Sequence, residues 1–131
     1  MSYLSETGNL ASTPELRTSA KGTTWCSARV IHNYREQDQT GTWHDTATIA
    51  YDVVVTGRKA EQLVAAAEAG GNIGIAFAGK YRVKNFKRND GSTGIAYEVI
   101  ADQISVLLGQ DVTLAKTGHA TAEDEPAQAL G

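Results

Sequence analysis

Apolar positions along the chain change their period twice, and the changes divide it into elements. In "TTWCSARVIHN", β-branched and aromatic residues alternate, with Cys26, Ala28, Val30 and His32 on one face and Trp25, Ser27, Arg29 and Ile31 on the other. This predicts a strand. "YREQDQTGTWHD" is a polar excursion around Gly41, expected to be a hairpin loop, and "TATIAYDVVV" is the strand that follows. The period then becomes helical: "RKAEQLVAAAEAGG" is rich in helix formers, with apolar positions at Ala60, Leu63, Val64 and Ala67, and stops at Gly70-Gly71. Two long strands follow, "NIGIAFAGKYRVKNF" and "GIAYEVIADQISVLL", joined by "KRNDGST" with its Asp90-Gly91 turn signal. At the start, "YLSETGNLA" alternates weakly enough to suggest a further strand, and Pro14 in "STPELRTSAKG" stops it from continuing.

Three strands, a helix and two strands is the order of an all-β, five-stranded Greek-key barrel, the OB-fold, with its helix between strands three and four. Beyond Leu108 the chain is small and polar without a period. The expected organisation is thus an oligonucleotide-binding type of domain over residues 1–108 and a flexible acidic tail over 109–131. A length of 131 residues suits one domain with a modest core, and 41% hydrophobic with 21% charged residues is ordinary for a soluble protein. No apolar run approaches the roughly 18 residues of a membrane span, and "MSYLSETGNL" lacks the pattern of a secretion signal, so a cytoplasmic location is expected. A single cysteine, Cys26, excludes an intrachain disulfide and a multi-cysteine metal site, in keeping with a reducing compartment.

Charge changes the picture. The net charge is -3, but residues 109–131 hold Lys116 against Asp111, Glu123, Asp124 and Glu125, which accounts for all of it. Within the remaining, balanced 108 residues, the stretch "GKYRVKNFKRNDG" sets Lys80, Arg82, Lys84, Lys87 and Arg88 against Asp90 alone. Alternation puts Lys80, Arg82, Lys84 and Phe86 on one face of a strand and Tyr81, Val83 and Asn85 on the other. Such a face can simply be solvated. It can also steer a polyanion, since local field rather than total charge governs encounter.

The ordered series "GNLASTPELRTSAKGT", "ARVIHNYR", "TGTWHD", "VVVTGRKAEQL", "AGKYRVKNF" and "DGSTGIAYEVIADQI" resembles the bacterial single-stranded DNA-binding proteins over about residues 3–108, and "TGTWHD" most resembles their actinobacterial branch. The resemblance implies a barrel that assembles as a homotetramer and wraps single strands around itself, in replication, recombination or repair. It also implies that Tyr34 and Phe86 stack on bases, that Lys80, Arg82 and Lys84 track phosphates, and that Arg35 and Trp43 lie in or beside a mobile loop between the second and third strands. Lys87 and Arg88, in the last hairpin, join the candidate DNA-binding set or are solvated turn charges. The chemistry is that of a sequence-tolerant binder: cations spaced for phosphates, and flat π surfaces for bases whose identity is not read.

The chain also departs from the family. The strand face that carries aromatic stackers in relatives reads Ala50, Asp52, Val54 and Thr56, which points a carboxylate toward the DNA path unless Asp52 pairs with an arginine. "YLSET" is polar where relatives use an apolar strand for subunit pairing, and "TAEDEPAQALG" lacks the ending with which relatives recruit repair and replication enzymes. Trp25 and Trp43 are open between packing and stacking, and Arg17 and Arg58 between binding and pairing with Glu15 or Glu61. Cys26 reads as a core residue, His32, His44 and His119 are too dispersed for a metal site, and "GGNIG" follows a helix and enters a strand, the reverse of a phosphate loop. No enzyme, metal or cofactor is therefore expected. The competing function is a barrel reused for protein contacts, as in a primosome-type assembly subunit with weak nucleic-acid binding.

Overall fold

Alternating β-branched residues produce long strands, and in the computed structural model, which describes residues 2–111, four of them run for 14 residues each. The element order is β1 (Ser2–Leu10), β2 (Arg17–Thr18), β3 (Thr24–Gln37), β4 (Trp43–Thr56), α1 (Arg58–Gly70), β5 (Gly74–Lys87) and β6 (Thr93–Val106). β1 pairs with β5, β5 with β6, β6 in parallel with β4, and β4 with β3. The ring closes where Asn9 and Leu10 of β1 meet Ile31 and Val30 of β3. Closure brings the backbones close together: a Cβ on Gly8 would lie 2.5 Å from the Ile31 carbonyl oxygen. The result is the expected closed five-stranded OB barrel, with β2 as a short addition on β3.

One face of each strand fills the barrel. Leu10, Cys26, Ala28, Val30, Val53, Val55, Ile75, Phe77 and Val99 are buried, and burial pushes the Cys26 thiol up from its ordinary pKa. Cys26 is thus a core residue. The helix lays Ala60, Leu63 and Ala67 against the same core and ends as the Gly71 amide donates to the Ala67 carbonyl at 2.7 Å. In β6, Asp102 is the extra residue of a bulge between the pairs Ala78 with Gln103 and Gly79 with Ala101. It reverses the alternation, so Val99 and Ala101 pack inward before it, and Ile104 and Val106 after it. Tyr3 donates to its carboxylate at 2.6 Å and Lys59 to its carbonyl at 2.9 Å.

Both long hairpins project past the barrel. Because β4 and β6 are parallel, the β3/β4 and β5/β6 hairpins extend from the same end. The segment expected to be a loop from Tyr34 to Asp45 is mostly paired arm: Arg35 faces Asp45, Glu36 faces His44, and Gln37 faces Trp43, which leaves only residues 38–42 as a turn. Polar residues on both sides of an exposed arm give no alternation to read, and pairing reveals it. The tail expected from residue 109 lies, beyond Asp111, outside the described residues, but Gln110 exchanges hydrogen bonds with Gly74 of 2.8 and 3.0 Å. Among the described residues no helix is long and apolar enough to cross a membrane.

Candidate nucleic-acid interface

The outward face of the β3-β4-β6-β5 sheet collects the candidate cations in registered rows. Arg29 opposes Asp52, Asp52 opposes Glu98, and Glu98 opposes Arg82, so one row crosses all four strands. On one side lies the row Ser27, Val54, Ile100 and Lys80; on the other, Lys84 opposes Ala96. Lys80, Arg82 and Lys84 therefore share an exposed face, as alternation required. Ile100 and Val54 add apolar surface between Lys80 and Ser27, on which a base or sugar can rest.

The row is paired within itself. Asp52 lies 3.5 Å from Arg29, both partly exposed, so the carboxylate faces the expected DNA side and is held by an arginine. Glu98 accepts from Arg82 Nε at 2.5 Å and lies 3.7 Å from Lys84 Nζ, with its own side chain only 17% exposed. Lys80 and Lys87 have no ion-pair partner among the described residues. Alternation within β5 could not reveal Glu98, because only cross-strand register brings it beside Arg82. Arg29 and Ile100 were missed as interface residues for the same reason, whereas alternation had already put Val54 on the same face as Asp52.

Past Lys84 the row ends on Phe86, opposite Gly94. A Cβ on Gly94 would lie 2.5 Å from Phe86 Cζ and 2.8 Å from a terminal nitrogen of Arg88, so glycine lets the ring lie down on the backbone. Phe86 remains 45% exposed, with the Arg88 guanidinium 5.4 Å from its centroid. Arg88 also donates to the Thr93 carbonyl at 2.9 Å and to Ser92 Oγ at 3.4 Å. It thus has a turn-holding role whatever else it contacts, whereas Lys87 is simply exposed. Gly91 adopts φ +88°, the left-handed region the turn needs, and the Ser92 hydroxyl and amide hold the Asp90 carboxyl below its usual range.

Tyr34 is positioned differently. It follows Val30 and His32 on the inner side of β3, and its hydroxyl meets Tyr51 Oη at 2.7 Å and donates to Glu6 Oε2 at 3.1 Å. Its ring makes an edge contact with His32 at 4.3 Å between centroids. Burial, then the bond to Tyr34, pushes the Tyr51 hydroxyl well above its ordinary pKa, so it stays neutral as part of this polar end of the core. On the β3/β4 arm, Arg35 pairs with Asp45 at 3.1 Å and Trp43 is 55% exposed. At the arm's tip, Asp38 accepts from Thr40 Oγ1 and His44 Nε2, each at 2.6 Å, which with the Thr42 amide hold its carboxyl at about 2. Trp25 lies on the outward face beneath Arg17, whose guanidinium is 5.9 Å from the ring and which also pairs with Glu15 at 2.9 Å.

A closed OB barrel with two arms at one end, and a face of spaced cations ending on an aromatic ring, defines the class: a barrel shaped for an extended oligomer. Residues 3–107 match the single-strand binding protein family, and the chain belongs to that family. No curated protein sequence matches it. Among solved structures, it is similar to a small single-stranded DNA-binding protein from Streptomyces coelicolor, with a TM-score of 0.63 and 22% identity over 81% of this chain and 94% of the other. It is also similar to a deletion variant of the single-stranded DNA binding protein from Thermus aquaticus, with a TM-score of 0.55 and 17% identity over 82% of this chain and 51% of the other. These likenesses show the shared fold.

Proposed function

We propose that the protein binds single-stranded DNA without catalysis and without reading its sequence, and shields exposed strands during replication, recombination or repair. The observation that carries this reading is the outward β3-β4-β6-β5 face, where Arg29, Lys80, Arg82 and Lys84 line a path ending on the half-exposed ring of Phe86. Family membership and the likeness to two single-stranded DNA-binding proteins support it. Phosphates lie along the cations, and a base stacks on Phe86, with Lys87 beside it. Trp43 and Arg35, on the arm, meet a strand that leaves the face toward the shared end of the barrel. Tyr34 serves the same end by anchoring the arm through Tyr51 and Glu6 and by offering a ring edge. The working form is a homo-oligomer in the cytoplasm, a homotetramer by family resemblance.

The test is titration with an unstructured oligonucleotide at low salt, followed by tryptophan fluorescence and, independently, by anisotropy of a labelled strand. Saturable binding is the expected result. No change in either signal at micromolar protein would refute the reading.

A further inference from the structure

We infer that Glu98 is a built-in competitor for phosphate, which sets how tightly the face holds a single strand. The inference rests on the functional reading above and extends it to a residue outside the cationic set. Glu98 stands between two of the cations that reading uses, with one carboxylate oxygen 2.5 Å from Arg82 Nε and the other 3.7 Å from Lys84 Nζ. It is largely shielded, while the two cations are about half exposed, so the carboxylate sits beneath them and they reach toward solvent. On the adjacent strand Asp52, opposite Glu98 in register, engages Arg29 in the same way. Three of the four cations on the face are thus pre-engaged by two carboxylates, and Lys80 has no such partner among the described residues.

The consequence is an exchange rather than a simple capture. A phosphate arriving at Arg82 or Lys84 meets a cation whose charge is already partly balanced, and it must share or displace the carboxylate. Fewer condensed counterions are then released per phosphate bound, and the strand is held more loosely than the count of cations suggests. Carboxylates occupying phosphate positions also favour quick release, since the cations are never left unpaired as the strand departs. Arg82 is bound through Nε, which leaves its two terminal nitrogens to meet a phosphate while the carboxylate remains.

The experiment is Glu98→Gln, which keeps the shape and an acceptor oxygen for Arg82 but removes the charge. Affinity for a labelled poly-dT oligonucleotide is measured against salt for the variant and the parent protein, alongside Tm. The expected result is binding tighter by about two- to fivefold at low salt, the range of a partly exposed ion pair. The slope of log K against log salt should steepen by roughly 0.7 for each cation released. Asp52→Asn provides a second variant in which the same direction is expected through Arg29. Equal or weaker binding by both folded variants, with the parent protein binding, would overturn the competitor role and leave the functional reading intact. No binding by parent or variants would overturn the functional reading and this inference with it.

Discussion

Replacing Phe86 with alanine separates a binding surface from a packing surface, because the ring does a measurable amount of each. It lies on Gly94 and under Arg88 yet is 45% exposed, so about half of its surface is already in water. Complete burial of such a side chain is worth roughly 1.5–3 kcal/mol, so truncation should cost folding about 1 kcal/mol, a fall in Tm of about 3–6 °C for a domain of this size. A base stacked on an aromatic ring contributes roughly 1–3 kcal/mol, which predicts binding weaker by about five- to 150-fold. The assay is oligonucleotide affinity at fixed low salt, paired with a thermal melt of the same preparation. Gly94→Ala is the companion variant: its added Cβ would sit 2.5 Å from Phe86 Cζ, so the ring must swing away and binding should weaken although the aromatic remains. A fall in stability of several kcal/mol with unchanged binding would make Phe86 a packing residue and not a stacking platform.

Asp52→Lys removes the partner of Arg29 and places a cation on the DNA side of β4; we expect binding tighter by roughly 1 kcal/mol or less at ordinary salt, with stability changed by no more than about 1 kcal/mol, as both partners are partly exposed. Unchanged affinity by a folded variant would mean that the strand does not pass over this row. The Asp38 carboxyl is held at about 2, below its usual value of 3.8, so its contribution to arm order should be complete above pH 4 and lost as pH falls toward 2. Amide protection of Thr40 and Thr42, followed by NMR hydrogen exchange, should drop across that window; protection constant from pH 4 to 2 would contradict the turn network.

Local periodicity carried most of the fold. The helix expected over "RKAEQLVAAAEAGG" runs from Arg58 to Gly70, and its buried positions include Ala60, Leu63 and Ala67. The barrel strands were legible because one face of each is apolar, as in Val53 and Val55 of β4. Pairing was not legible. The arm that carries Arg35 and Trp43 is polar on both sides, and no alternation marks it as a strand. Glu98 is as far in sequence from Arg82 as a full hairpin requires, and only register places its carboxylate there. Tyr34 was readable as an aromatic at a strand end, but the bond from its hydroxyl to Tyr51 depends on the neighbouring strand. Asp102 shows the same limit in reverse, since one bulged residue exchanges the faces of all that follows it in β6.

Spaced cations that hold the phosphates of a single strand without reading its bases leave their mark in the salt dependence of oligonucleotide affinity, measured across several base compositions. Straight lines of log K against log salt are expected, with a slope shallower than the roughly -2 that Lys80, Arg82 and Lys84 would give if each neutralised one phosphate with no carboxylate beside it, and nearly parallel lines for oligonucleotides of different sequence. A flat salt response, or roughly a hundredfold preference among unstructured sequences, would contradict this mode of binding.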